Sequence, residues 1–422
     1  MFIFLKFIQK SVANFAPLYS RHKQDMYDFD EIIDRRGTRC DKVDSLKDMF
    51  GRSDLIPMWV ADMDFRTPDF IIDALRRRLD HPVLGYPLTG SDYFRIVSDW
   101  VYSLHGWRVD PSAFRFIPGI VKGLILAEHC LLQRGDRVII QPPVYHPFRL
   151  NTMAAGFEVV ENPLLPVYGE DGILQSYRMD LDSLEKLVDG RTRLLILCNP
   201  HNPGGVCFKR EDLARLASIC RSRGVTVLSD EIHSEMVFPG NGYHPFASVS
   251  EDAAQCSISF MAPSKTFNIA GVVSSYCVAF NPELRQKFYS YIESVEIDYP
   301  SIFSAEATRA AYTPEGMRWR KEMLDYVWGN IRFVEEFLAR EIPQIHPVRP
   351  QASFLVWLDC RRLGLDQKSL VDLFVNGAHL ALNDGMMFGK QGEGYMRLNV
   401  GCPRSIVATA LGNLKKAVER LK

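Results

Sequence analysis

The sequence predicts an α/β chain: a mostly parallel central sheet covered by helices, followed by a smaller α+β unit. Three observations carry this reading. From about residue 71 to 303, short apolar runs alternate with helical segments. The runs are bounded by Gly, Pro and Asn, and most are apolar throughout, as in strands buried on both faces. From Pro314 the texture changes to one long helical pattern followed by isolated strands.

In chain order, Ile71–Leu79 and Ser91–Leu104 read as amphipathic helices. Val121–Leu132 reads as a strongly apolar helix, and Arg137–Gln141 as a strand stopped by Pro142-Pro143. Phe157–Asn162, Leu194–Cys198, Val225–Ser229, Ile258–Met261 and Tyr276–Phe280 read as further strands. Helices between such strands imply parallel crossovers, and ligand sites in such sheets lie beyond the strands' carboxyl ends. Met317–Glu341 reads as a long helix, Ser353–Leu358 and Met396–Val400 as strands, and Ile406–Leu421 as a closing helix. The expected organisation is a large domain over 71–313 and a small domain over 314–422, which residues 26–70 join. Residues 1–25 combine an apolar start, broken by Lys6, with no clear period and no clean cleavage site. They read as a leader outside the fold, either disordered or upstream of a start at Met26.

The net charge of −1, with acids and bases dispersed, gives no electrostatic argument for nucleic acid or a membrane surface. No apolar stretch reaches the roughly 18 residues of a membrane span. The nine cysteines form no CxxC pair and no metal-like spacing, so they read as reduced thiols of a cytoplasmic protein.

The chemistry concentrates at strand ends. Ser229-Asp230-Glu231-Ile232-His233 follows one apolar run and Pro263-Ser264-Lys265-Thr266-Phe267 another. A lysine among apolar strands can lose its charge and act as a nucleophile or Schiff base. An aspartate nearby can keep a pyridinium nitrogen protonated. Together they are what pyridoxal 5'-phosphate chemistry asks of a protein. Taken singly, Lys265 reads as a surface lysine and Asp230 as a helix cap; the pairing is what carries weight. Ile232 could pack on a ring face and His233 could reach a phenolic oxygen, although His233 taken alone reads as a structural histidine.

Four further stretches fit the same site. Asn199-Pro200-His201-Asn202-Pro203-Gly204-Gly205 is a tight turn that can deliver an amide, with His201 read as part of the turn. Pro118-Gly119-Ile120-Val121-Lys122 opens the apolar helix and offers amides to an anion. Tyr145, after Pro142-Pro143, can stack on a flat ring. Arg397, inside the buried-looking strand Met396–Val400, needs an anionic partner. A substrate carboxylate or an internal ion pair would both serve.

These pieces, in this order, resemble the fold type I enzymes of aminotransferase class I/II. The resemblance spans Met26 to Lys422. Within that group the chain resembles the MalY/PatB-type C–S lyases, through Met58-Trp59-Val60-Ala61-Asp62-Met63-Asp64-Phe65, Gly85-Tyr86-Pro87, Ser229–His233 and Ser264–Gly271. The resemblance implies that Lys265 carries the cofactor, Asp230 meets its ring nitrogen and Tyr145 stacks on the ring. It implies that Asn199, Asn202 and His233 lie near the ring. The Ile120 and Val121 amides and Ser264 would hold the phosphate. Tyr86 would reach the phosphate of the other subunit in a homodimer, and Arg397 would bind the substrate α-carboxylate. Lys122 is less typical at its position, and its role is open. Val273 stands where ordinary aminotransferases commonly carry a phosphate-binding arginine, and His233 where they carry tyrosine. Both departures favour elimination on cystathionine, cysteine or a related S-conjugate. An aminotransferase is the alternative enzyme. A pyridoxal-phosphate-binding regulator that contacts a transcription activator is the alternative of another class.

Overall fold

A computed structural model of the chain describes residues 27–421; the expected leader over 1–25 lies outside the described residues. The central sheet has seven strands: β1 (Phe114–Ile117), β2 (Arg137–Ile140), β3 (Glu158–Glu161), β4 (Thr192–Cys198), β5 (Thr226–Asp230), β6 (Ser257–Met261) and β7 (Ser275–Val278). Their spatial order is β1-β7-β6-β5-β4-β2-β3. All are parallel except β7, which runs antiparallel to both neighbours. The mostly parallel sheet with helical cover is therefore present.

The apolarity of the central runs follows from burial on both sides. Leu194, Leu195 and Leu197 of β4 and Val227 and Leu228 of β5 are fully buried. Each such side chain contributes about 1.5–3 kcal/mol on leaving water. Two features of β1 and β7 were not legible. Phe114–Ile117 did not read as a strand, because Arg115 interrupts its apolar pattern; its guanidinium lies 5.3 Å over the Tyr289 ring. The reversed direction of β7 leaves no trace in a run of apolar residues. The hairpin Leu165–Tyr168/Leu174–Arg178 also escaped, since its strands are short and bury little beyond Leu174 and Tyr177.

The helix after β1, Ile120–Leu131, points its N-terminus at the carboxyl ends of β4–β6 and lies close on the sheet. Two glycines make that possible. Gly119 holds φ +107 at the N-cap. A Cβ on Gly123 would stand 2.5 Å from Ile117 Cδ1 and 3.0 Å from Phe260 Cε1.

The smaller sheet comprises β8 (His346–Val348), β9 (Leu355–Asp359), β10 (Asn383–Asp384) and β11 (Tyr395–Asn399), in the antiparallel order β8-β9-β11-β10. Helices Pro314–Glu341 and Arg404–Glu419 pack against it and each other. The Thr313 side chain caps the first by accepting from Gly316 N. Ile56–Pro57 pairs in parallel with Leu380–Ala381, and Asn399 N donates to Met58 O. The chain that follows, residues 59–65, is thereby led between β11 and the central sheet's functional end. Among the described residues no helix is long and apolar enough to cross a membrane.

Candidate active site

A cavity of about 300 Å³ opens beyond β4, β5 and β6. Its lining includes Ile120, Val121, Tyr145, Asn202, Asp230, His233, Ser264 and Lys265. Lys122, whose role is open in the sequence, also lines it, as do Ala61, Cys198 and Val273. Residues far apart in sequence thus share one small volume because adjacent parallel strands end there.

Asp230 is the last residue of β5 and accepts from Ile232 N at 3.1 Å. Burial pushes its carboxyl up to about 7, against the Ile232 amide and the Lys265 charge. Lys265 follows β6, and its Nζ donates to Ala61 O at 2.6 Å. Burial brings the amine down to about 8; Asp62 opposes that shift, Arg397 adds to it and Asp230 opposes it. The site therefore holds an amine that readily becomes neutral and a carboxyl awaiting a cationic partner. His233, buried, is held down to about 3 by desolvation, with Lys265 and Arg397 adding to the effect. Among the described residues its Nδ1 has no hydrogen-bond partner.

The Asn-Pro turn is built by its own bonds. His201 N donates to Val206 O and Gly205 N to His201 O, both at 2.7 Å. His201 Nε2 lies 2.8 Å from Pro143 O, tying this turn to the one that carries Tyr145. The two asparagines separate here. Asn202 faces the cavity, whereas the Asn199 amide is spent within the fold, accepting from Phe208 N and donating to His244 O. Asn199 does not line the cavity.

Arg397 comes from β11 and is 3% exposed. Its Nη1 donates to Asn202 Oδ1 at 2.9 Å, and its Nη2 to Trp59 O at 2.8 Å and Asn383 Oδ1 at 2.5 Å. Phe388 lies beneath it at 5.0 Å. Every one of these acceptors is neutral, and among the described residues Nε has no hydrogen-bond partner. Burial lowers its pKa to about 10. A buried guanidinium without a carboxylate is costly alone and is suited to an anion that arrives with a ligand. Asn383, which aims it, escaped sequence reading; the polar Asn-Asp pair in an otherwise apolar stretch was the available signal. Tyr86 is not in the cavity: it is fully exposed on the loop after helix Asp69–Leu79.

The arrangement fits pyridoxal 5'-phosphate. The first-turn amides at Ile120 and Val121 have no intrahelical partners and suit a phosphate. Ser264 lines the same cavity. Lys265 offers the amine, Asp230 a buried acid for a ring nitrogen, Tyr145 an aromatic face, and the unpartnered His233 Nδ1 a polar group for the ring's edge.

A parallel sheet with one reversed strand, a half-buried lysine sharing a cavity with a buried aspartate, and a helix-terminal anion cradle define a type I fold for pyridoxal phosphate. The chain matches aminotransferase class I and II over residues 54–414, and it belongs to that family. Cystathionine beta-lyase PatB of Bacillus subtilis is 40% identical over 391 residues, 92% of this chain and 99% of that protein. Protein MalY of Escherichia coli is 29% identical over 401 residues, 94% of this chain and 100% of that protein. The crystal structure of cystalysin from Treponema denticola contains pyridoxal 5'-phosphate; it matches with a TM-score of 0.89 at 30% identity, covering 94% of this chain and 100% of that one. The PLP-bound C–S lyase from Staphylococcus hominis matches with a TM-score of 0.85 at 32% identity, covering 93% and 98%. Within its family the chain is of the MalY/PatB type.

Proposed function

We propose that the protein is a pyridoxal 5'-phosphate-dependent C–S β-lyase, releasing pyruvate, ammonia and a thiol from cystathionine, cysteine or a related S-conjugate. The observation that carries it is the single cavity joining the Lys265 amine, the buried Asp230 and the helix-terminal amides, with Arg397 bonded to its rim. The names borne by PatB and the Staphylococcus hominis enzyme support the reaction class.

Lys265, Asp230, Tyr145, Asn202, His233, Ser264 and the Ile120 and Val121 amides would hold the cofactor. Bound there, it supplies an electron sink for the pair released at the substrate α-carbon. Arg397 grips the α-carboxylate, with Nε as its unspent donor. That grip sets the α-hydrogen toward Lys265. Lys265, neutral, takes that proton at Nζ. Asp230, ionised by the charge it meets, keeps a proton on the ring nitrogen. The Cβ–S bond then breaks, sulfur leaves with the electron pair, and water completes the conversion to pyruvate and ammonia. Val273 lines the cavity where an aminotransferase commonly has its arginine, which supports elimination over transamination.

The same reading includes a homodimer whose sites are completed by Tyr86 from the other subunit, a large domain over 71–313 with a small one over 314–422, and a cytoplasmic location. The test is incubation with L-cystathionine and L-cysteine, scoring pyruvate and thiol with and without an added 2-oxo acid.

A further inference from the structure

The stretch Trp59-Val60-Ala61-Asp62-Met63-Asp64 carries much of the resemblance, yet the chemistry above assigns it no role. Its carbonyls are spent on the site. Trp59 O accepts from Arg397 Nη2 at 2.8 Å, and Ala61 O from Lys265 Nζ at 2.6 Å. Val60 O and Asp62 O accept from Asn399 Nδ2 at 2.6 and 2.7 Å. The amine and the carboxylate anchor therefore lean on one strap of backbone.

Ionic bonds hold the strap from its other side. Arg35 Nη2 meets Asp62 Oδ2 at 2.5 Å and Arg35 Nη1 meets Asp64 Oδ1 at 2.6 Å. Lys42 Nζ meets Asp64 Oδ2 at 2.8 Å and Asp62 Oδ1 at 3.5 Å. Two acids and two bases make a neutral set. Lys42 is 1% exposed. Burial works against its charge, but Asp64 and Asp62 more than offset it, and its pKa is raised. Asn268 adds a clamp: it accepts from Met63 N and donates to Met63 O and Phe65 O. Arg35, Asp62, Asp64 and Asn268 line a second cavity of about 500 Å³, which shares Ala270 with the first.

Exposed ion pairs contribute little. A buried pair has no net advantage over packed apolar groups, but it is directional, and removing one member leaves a costly lone charge. Four charges kept here in fixed geometry therefore serve placement better than they serve stability.

We propose that Arg35, Lys42, Asp62 and Asp64 are positioning residues: their clasp sets the Trp59–Asp62 strap, so that Ala61 O orients the Lys265 amine and Trp59 O orients Arg397. One N–H of Lys265 spent on Ala61 O turns its lone pair away from that carbonyl. The proposal rests on the reading of Lys265 as the base and Arg397 as the carboxylate anchor. The charged or titratable groups that act on Lys265 are Asp62 from the strap, Arg397 from β11 and Asp230 from β5, and His233 feels its charge in turn. Arg35 and Lys42 act on it only through Asp62.

The experiment uses the full chain with Asp62→Asn, Arg35→Met, Arg35→Lys and the paired Lys42→Met/Asp64→Asn, which leaves no lone buried charge should a single variant fail to fold. Competitive acetylation of the cofactor-free protein, read by mass spectrometry, gives the pH midpoint of Lys265. The loaded enzyme gives KM and kcat separately, and borohydride mapping locates the modified lysine. Asp62→Asn should lower the midpoint by roughly one unit, the scale of a neighbouring charge. Arg35→Met should raise it, because the Asp62 charge is then less neutralised. Arg35→Met and the paired variant should raise KM more than they lower kcat, and Arg35→Lys should recover part of the loss. Variants that fold, keep the adduct on Lys265 and leave both midpoint and KM unchanged would overturn the clasp while the site reading stands. An adduct on another lysine would overturn the site reading and the clasp with it.

Discussion

Lys265 Nζ donates to Ala61 O at 2.6 Å, a bond between residues 204 positions apart. It joins the Lys265 amine to the segment that also receives Arg397. The amine is placed from two directions: by the end of β6 that carries it and by the strap that accepts from it.

The first consequence concerns the lysine. Purified protein should show visible cofactor absorption, and borohydride should fix the cofactor to Lys265. Lys265→Ala should lose both the covalent adduct and turnover. Peptide mapping checks this; an adduct on Lys122, which also lines the cavity, would reassign the site.

Arg397 should govern substrate binding. Truncating one member of a buried charged hydrogen-bond pair typically costs about 2–5 kcal/mol. Arg397→Ala should therefore raise KM strongly, by at least an order of magnitude. Arg397→Lys should recover little, because a lysine cannot reproduce bonds to Asn202, Trp59 and Asn383 at once. Steady-state kinetics with L-cystathionine decide it; an unchanged KM in the alanine variant would remove Arg397 from the substrate.

Asp230 predicts a pH effect on the cofactor-free protein. Its carboxyl stands at about 7 in the fold against an ordinary 3.8. The folded state thus holds a proton that the unfolded chain has released. Stability from this group is complete below 3.8 and is lost as pH rises through about 7. Asp230→Asn should melt above wild type at pH 8, by on the order of a few kcal/mol, and the gap should close in acid. The same variant should bind cofactor more weakly. Melting curves across pH check the sign; a variant less stable than wild type at pH 8 would contradict it.

The outline of the sheet was legible because parallel strands are apolar throughout, and the chemistry because it sits where those runs stop. Asp230 and Lys265 could be paired for that reason alone. Boundaries moved by a residue or two: the run expected to end at Ser229 is observed as Thr226–Asp230. Asn199 and Asn202 could not be told apart, since which amide turns inward depends on bonds to Phe208 and His244 made by the folded turn. The role of the Trp59–Asp62 strap was invisible, because it acts through backbone carbonyls, and a carbonyl carries no residue identity. The reversed β7 was equally hidden.

Tyr86 tests the proposed dimer. It is fully exposed, and Val83, Leu84 and Leu88 in the same loop also face outward. Tyr86→Phe and Lys265→Ala subunits, each strongly impaired alone, should regain activity on mixing, since one site of the mixed dimer carries neither change. Complementation with measured subunit exchange checks this; exchange without recovery would place Tyr86 outside the neighbouring site.

The central claim is elimination at the Cβ–S bond, and it has one direct measurement. The loaded enzyme is given L-cystathionine, L-cysteine and further S-substituted cysteines, and pyruvate, ammonia and thiol are followed with no 2-oxo acid present, then with 2-oxoglutarate added. The account predicts equal amounts of pyruvate and ammonia, with matching thiol, without any acceptor and with no need for one. Amino-group transfer to 2-oxoglutarate running much faster than pyruvate release from every sulfur amino acid tried would contradict it and make the protein an aminotransferase.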